Sequence, residues 1–243
     1  MSGVSNVLQQ IGYPQIAGFD TAQTTEVIPT GTVVAGTDPY WGPREYVFCY
    51  ATGTVDHYGC VAISQSLVNG RFRWEATAVA NTANLGRPVG FSMVNTTVGQ
   101  YVWVCVRGLV PVQATASVAA DTAFGIVAPG KTGAPAAGKQ ILNARNVLPA
   151  TTTVVKANCF ALSGSNILRV QNADGWFIGA YLSGTGVAAG ARILAISPNG
   201  TEVTMSGNAS AQITGSVTAT YNNASVFFNV ANICYPFAQG AIT

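Results

Sequence analysis

GQYVWVCVRGLVPVQATASVAADTAFGIVA, Gly99–Ala128, is the stretch whose reading decides the fold. From Tyr101 to Arg107 the side chains alternate: Val102, Val104 and Val106 fall on one side, Tyr101, Trp103, Cys105 and Arg107 on the other. From Val110 to Val118 they alternate again, with Val110, Val112, Ala114, Ala116 and Val118 opposed to Gln113, Thr115 and Ser117. A period of two over both runs predicts two strands, each with one buried face. Gly108 between them permits a tight reversal or a bulge. Asp121-Thr122 breaks the pattern before a third run, Phe124–Ala128, and the three together read as a β-meander around which the chain packs.

The totals set what surrounds that meander. A chain of 243 residues has room for one large β domain or two small ones. Hydrophobic residues make up 49% and charged residues only 8%, about a third of the roughly 25% usual for a soluble domain. A surface of Thr, Ser, Asn, Ala and Gly suits a protein packed against neighbours, since a free monomer normally carries more charge. The net charge is +2, and the eight Arg and three Lys are scattered. Nucleic-acid binding calls for a basic cluster, so none is expected. No apolar run reaches the ~20 residues that span a bilayer, and no membrane partner is expected. The first twenty residues lack a basic start and a continuous apolar run, so they do not read as a secretory signal.

The five cysteines, Cys49, Cys60, Cys105, Cys159 and Cys234, are odd in number, widely spaced and without a CxxC. They read as buried free thiols rather than a disulfide framework or a zinc site, and no metal or cofactor is expected. Asn-x-Ser/Thr sequons begin at Asn95, Asn199, Asn208 and Asn223. They are read as turn residues of a Thr/Asn-rich β protein.

Taken in order, residues 1–44 form an irregular N-terminal arm broken by Gly and Pro, with a helical turn over Val4–Ile11 and short strands at Thr24–Ile28 and Thr32–Ala35 as its only elements. The arm carries Tyr13, Ile16, Phe19, Tyr40 and Trp41. Disordered tails are poor in aromatics, so these five are the candidate contacts to a partner or a second subunit, and the arm reads as dispensable for folding. A β core domain then covers 45–150 plus 223–243, with a hairpin signal at Asn69-Gly70, a short helix or loop at Ala78–Leu85 and a Gly/Pro/Ala linker at Pro129–Gly138. Residues 151–222 form a second small β module, with runs at Val154–Leu162, Ile167–Val170, Phe177–Leu182, Ala191–Ile196, Glu202–Met205 and Ile213–Tyr221. It is inserted into the first domain or follows it in tandem. The fold class is all-β, a sandwich- or barrel-like core domain with an arm and a second module.

Four features of the sequence bear on chemistry. Gly125-Ile-Val-Ala-Pro-Gly130-Lys131-Thr132 fits GxxxxGK[ST]. A phosphate loop needs free amides leading into a helix, whereas Gly125 lies in a strand, Pro129 lacks an amide, and Gly-Ala-Pro-Ala-Ala-Gly follows. His57, the one histidine, lies near Cys60, but a thiolate–imidazole pair must meet in space, and the local pattern is a turn. The nine acidic residues, Asp20, Glu26, Asp38, Glu45, Asp56, Glu75, Asp121, Asp174 and Glu202, show no paired-carboxylate constellation. Tyr40-Trp41, Trp74, Trp103 and Trp176 could form a sugar platform, with core or interface aromatics as the plainer reading. No catalytic residue is assigned, and the chain is not read as an enzyme.

Three segments carry a resemblance: Gly99-Gln-Tyr-Val-Trp-Val with its approach Trp74-Glu-Ala-Thr-Ala-Val-Ala; the step Val118-Ala-Ala-Asp-Thr-Ala; and Leu182–Ser197 (LSGTGVAAGARILAIS), followed by an Asn-Gly turn and Glu202–Ser206 (EVTMS). In texture, over roughly residues 60–222, they resemble capsid decoration (cement) proteins of tailed bacteriophages and β modules of phage virion proteins. The resemblance implies a virion protein, made in the host cytoplasm, that binds the outer head surface and clamps neighbouring major capsid protein subunits. It further implies a homotrimer near local three-fold positions and an arm that touches the shell. Other readings are a head fibre, tail or baseplate subunit, or a receptor- or carbohydrate-binding module.

Overall fold

The structure, a computed structural model, describes Phe19 and residues 21–38, 41–149, 152–220 and 227–240. Among these residues there are sixteen strands and no helix, in one ten-stranded and one six-stranded sheet, so the chain is all-β. It divides into two compact units, with the described residues up to Pro149 and from Asn229 onward in one and those from Thr152 to Phe228 in the other. The larger sheet holds β1 (Val33–Asp38), β2 (Gly42–Ala51), β3 (Cys60–Val68), β4 (Arg71–Ala78), β5 (Arg87–Ser92), β6 (Tyr101–Ala114), β7 (Gly125–Ala128), β8 (Lys131–Gly133) and β9 (Ile141–Leu148). The smaller holds β10 (Thr153–Ala161), β11 (Ile167–Arg169), β12 (Tyr181–Ser183), β13 (Ile193–Ile196), β14 (Glu202–Met205) and β15 (Ile213–Thr220). The chain then returns to the larger sheet as β16 (Phe227–Ala238), antiparallel to β9.

The Gly99–Ala128 stretch does not form the expected meander. Tyr101–Ala114 is one continuous strand, β6, and Gly108 is a bend in it rather than a reversal. Its first half lies between β2 and β5; its second half meets β16 and, at Ala114, β8. The register against β2 slips at this point, from Glu45↔Arg107 to Tyr46↔Cys105. Gly108 has φ +106, and a Cβ there would stand 2.6 Å from the Pro43 carbonyl oxygen. Only glycine fits both the backbone and the crossing chain.

Nor does β6 bury a single face. Val102, Val104 and Val106 pack with Val47, Cys49, Val55, Val61, Ile63 and Ala76 in one apolar layer. On the opposite face Trp103 and Cys105 are equally buried. Phe48 stands directly across from Trp103, ring centroids 4.9 Å apart. The layer is completed by Phe19, stacked 4.0 Å from Tyr46 and edge-on to Trp103 at 5.3 Å. Full burial of such a side chain contributes about 1.5–3 kcal/mol.

Phe19 therefore corrects the arm reading. It is 1% exposed, and it sits beneath Gly36 of β1, where a Cβ would come within 2.9 Å of its ring. Gln23 pairs with Tyr101, and β1 pairs along its length with β2. Phe19 is part of the core, held by ring packing that partner contact would have to undo, and β1 is a strand of the larger sheet. The expected turn over Val4–Ile11 lies outside the described residues. Of the two alternatives for Ala78–Leu85 the structure has the loop, after the end of β4 at Ala78, while Pro129–Gly138 begins as a hairpin turn into β8 rather than a linker.

The second unit closes on itself. Its strands run β12-β15-β10-β11-β14-β13. The two end strands are then joined by backbone bonds from Leu182 N to Ala191 O (2.8 Å), Ile193 N to Ala180 O (2.9 Å) and Gly179 N to Ile193 O (2.8 Å). Trp176, Leu168, Ile193, Val203, Met205 and Val217 fill its interior. Closure leaves the short strands no edge.

Replacing Gly108 by Ala should lower stability by about 2–3 kcal/mol, combining strain and overlap. Gly42, with φ +75 but nothing within 4 Å of a Cβ, should cost about 1 kcal/mol on the same change. Urea unfolding of the two variants checks this; equal losses would show that the Pro43 contact carries no weight.

Candidate contact surfaces

The chemical motifs come to rest in structural roles. Gly125–Thr132 is a β-hairpin: Gly125 lies in β7, Pro129-Gly130 forms the turn, and Lys131 and Thr132 lie in β8. The buried Thr132 hydroxyl donates to the Gln113 carbonyl at 2.9 Å. His57 sits in a turn with its ring against Tyr58, and its amide donates to Asn95 Oδ1 at 2.6 Å. Cys60 is fully buried, and burial pushes its thiol, like that of Cys49, well up from the ordinary value and raises that of Cys159. Cys105 is also buried and only Cys234 is exposed; all five are free. Glu26, Glu45, Glu75, Asp121 and Glu202 each face an arginine. Among the described residues no three His, Cys, Asp or Glu side chains gather as a metal site.

The aromatic candidates separate. Trp103 and Trp176 are 0% exposed, and the Trp176 indole donates to the Val154 carbonyl, so neither can serve as a sugar platform. Trp74 is packed on the valine core. Trp41 is half-buried, with the Arg44 guanidinium 6.0 Å above its ring. Of the five proposed contacts, Phe19 is in the core and Trp41 lies in the turn just before β2, while Tyr13, Ile16 and Tyr40 lie outside the described residues.

A surface that the sequence did not single out is the β3–β4 hairpin. Asn69 (φ 51) and Gly70 (φ 76) make the two-residue turn that left-handed backbone favours. The register Ile63↔Ala76, Gln65↔Trp74 and Leu67↔Phe72 puts these six residues on one face. At the base, Ile63, Ala76 and Trp74 belong to the valine core. The segment before β1 covers Trp74: Thr30 Oγ1 accepts from the Trp74 amide at 3.1 Å, and a Cβ on Gly31 would stand 2.4 Å from the indole. Beyond Trp74 the cover ends. Leu67 is 66% and Phe72 71% exposed.

The other face of the ribbon is polar and self-neutralised. Ser66 and Arg73 both donate to Glu75, the Arg73 guanidinium lies 3.8 Å over the Tyr50 ring, and Arg71 pairs with Glu26 at 3.4 Å. The ribbon is thus amphipathic, its apolar face running from the core into solvent. The signal was present in sequence: Leu67 and Phe72 stand symmetrically about Asn69-Gly70 and must meet across the strands. A second, smaller apolar patch lies on the outside of the other unit, where Phe160 (39%), Leu162 (61%) and Ile167 (37%) flank the β10–β11 turn.

Glu45 ties three strands together. Arg107 of β6 pairs with it at 2.7 Å, and the Tyr235 hydroxyl of β16 donates to its other oxygen. Tyr235 holds φ 49, an uncommon backbone for a residue before proline. The Tyr235 hydrogen bond draws the Glu45 carboxyl below its ordinary 4.5; partial desolvation works against this and Arg107 adds to it. A carboxyl held low when folded contributes stability above its unfolded value, and loses it as pH falls through the folded one. Tyr235→Phe should therefore lower the unfolding midpoint at neutral pH and shrink the loss seen between about pH 5 and pH 3. Thermal melts across that range check it; an unchanged acid loss would mean that Tyr235 does not set the Glu45 proton affinity.

No family model, no curated protein and no solved structure matches the chain.

Proposed function

We propose that the chain is a virion structural protein that binds the outer surface of a tailed-phage head and holds neighbouring major capsid protein subunits together. The observation that carries this reading is the β3–β4 ribbon, one face of which leads from the valine core, past Gln65 and the covered Trp74, to the exposed Leu67 and Phe72. An exposed pair of large apolar side chains on a projecting hairpin is a contact element. Its charges are already paired within the chain, so burying it asks little of the partner beyond an apolar recess. Low overall charge and the sequence texture of decoration proteins point the same way.

The mechanism is repetition. Burying Leu67 and Phe72 supplies about 1.5–3 kcal/mol each. That is modest per copy, but many copies on a closed shell act together. On this reading the contact lies on the ribbon; deleting 1–44 would remove Phe19 from the aromatic layer over β6, and β1 and the start of β2 with it, and so destabilise the core.

The test is co-sedimentation of the purified protein with heads that lack it, with phage tails as comparator. The Leu67→Ser/Phe72→Ser variant should melt close to wild type, because both side chains are exposed, and should bind heads at least tenfold more weakly. Undiminished binding by that variant would sink the ribbon as the docking element. Binding to tails alone would move the protein to another part of the virion.

A further inference from the structure

The chain covers almost every terminal strand with its own backbone. β7 is closed on its outer side by Ile126 N to Lys139 O (2.9 Å) and by the Gly125–Gln140 bridge. β9 is closed by Asp121, Thr122 and Phe124, with Asn146 N to Thr122 O at 2.9 Å and Ile141 N to Phe124 O at 3.0 Å. β12 and β13 close each other. The tip of the β3–β4 ribbon runs free, but Arg71, Arg73 and Glu75 flank it, and charge on an edge discourages pairing.

β1 is the exception. It ends the strand order and has β2 as its one partner. Phe48 N donates to Thr32 O, and the register Val34↔Tyr46 and Gly36↔Arg44 continues the ladder. By the alternation of an antiparallel pair, the amides and carbonyls of Val33, Ala35 and Thr37 point outward. The side chains of these three residues are exposed. Among the described residues nothing pairs with that edge. Residues 33–37 contain no charge, no proline and no bulge, the devices by which β proteins keep such an edge solitary.

We propose that β1 is the interface of a two-fold dimer, in which the β1 strands of two copies pair antiparallel about Ala35. This register uses all three outward residues of each copy. Ala35 faces Ala35 of the second copy on the axis, and Val33 faces Thr37 on either side of it. The facing Val and Thr are β-branched, which suits cross-strand contact, and no like charges oppose one another between 33 and 37. A second copy is the occupant the edge fits best, because the same uncharged groups recur on it in complementary order. The pairing joins two ten-stranded sheets through their ends, and it gives a two-fold rather than the three-fold association implied by the resemblance. It stands apart from head binding, since it is a property of the isolated protein.

Sedimentation velocity of the full-length protein over a range of concentrations tests it. Wild type should approach twice the 25.0 kDa chain mass and dissociate on dilution. Ala35→Pro removes an outward amide while sparing the β1–β2 ladder, and should weaken the dimer at least tenfold. Ala35→Lys and Ala35→Glu should each be monomeric alone, through like charges facing on the axis, and should form a mixed dimer when combined. That rescue decides the matter even if the proline variant fails to fold. A monomeric wild type would mean that the chain's own first residues or a different protein's strand takes the edge, and would overturn the proposal. So would a trimer, or variants that dimerise as well as wild type.

Discussion

The structure depends on one constraint: the first half of β6 carries large apolar side chains on both faces, so both must be covered. Val102, Val104 and Val106 find cover in a valine-rich layer from β2, β3 and β4. Trp103 and Cys105 need a second layer, and the neighbouring strands supply Tyr46, Phe48 and Phe91. A gap remains over Tyr46 and Trp103, filled by Phe19. The Phe19 ring thus joins the Gln23–Tyr101 bridge and the β1–β2 ladder in binding the N-terminal segment into the fold, and β1 lies over that ring with a glycine at the point of closest approach.

The same strand sets the topology through Gly108. A straight fourteen-residue strand would continue alongside β2 and β5. With the register slip and the left-handed backbone at Gly108, β6 leaves them and meets β16 and β8 instead. Arg44 fixes the bend from the other side: it is 3% exposed, and its Nε donates to the Leu109 carbonyl. Two buried asparagines hold the chain that follows. Asn146 donates to the carbonyls of Val118 and Ala119, and Asn229 accepts from the Val118 amide and donates to the Ala116 carbonyl. Residues 116–119, which continue the alternating pattern in sequence, are thus pinned to β9 and β16 by side chains rather than drawn into a ladder.

These contacts explain what the sequence made legible. Local period-two patterns located the strands well: Glu202–Met205 coincides with β14, and Asn69-Gly70 marks the ribbon's turn. What the pattern could not convey was the second face of β6. Trp103 and Cys105 alternate with valines as solvent-facing residues would, and only the non-local arrival of Tyr46, Phe48, Phe91 and Phe19 makes that side interior. For the same reason Phe19 read as a partner contact, since an aromatic in a Gly/Pro-rich segment looks alike whether it waits for another protein or for its own sheet. Gly108 was legible as a break in the run but not as a choice between reversal and bulge, because Pro43 and Arg44, which decide it, lie more than sixty residues away. The candidate surface was half visible. Leu67 and Phe72 were bound to meet, but that nothing covers them follows from where the Thr30-Gly31 segment stops over Trp74.

The second unit bears on how such a chain folds at all. It interrupts the larger sheet between β9 and β16, which are direct partners, so that pair cannot form until the chain between them has been traversed. Closing a loop of that length costs little more than closing one half as long. The hazard is mispairing, because short strands rich in Thr, Val and Ala add readily to any free edge. Bonds between Ala180, Leu182, Ala191 and Ile193 remove that hazard by joining the first and last strands of the unit. With its edges consumed internally the inserted unit offers no strand to the larger sheet, and β16 reaches β9 without competition. Among the described residues β1 is the end of the strand order left without such closure, and residues 33–37 carry neither charge nor bulge there.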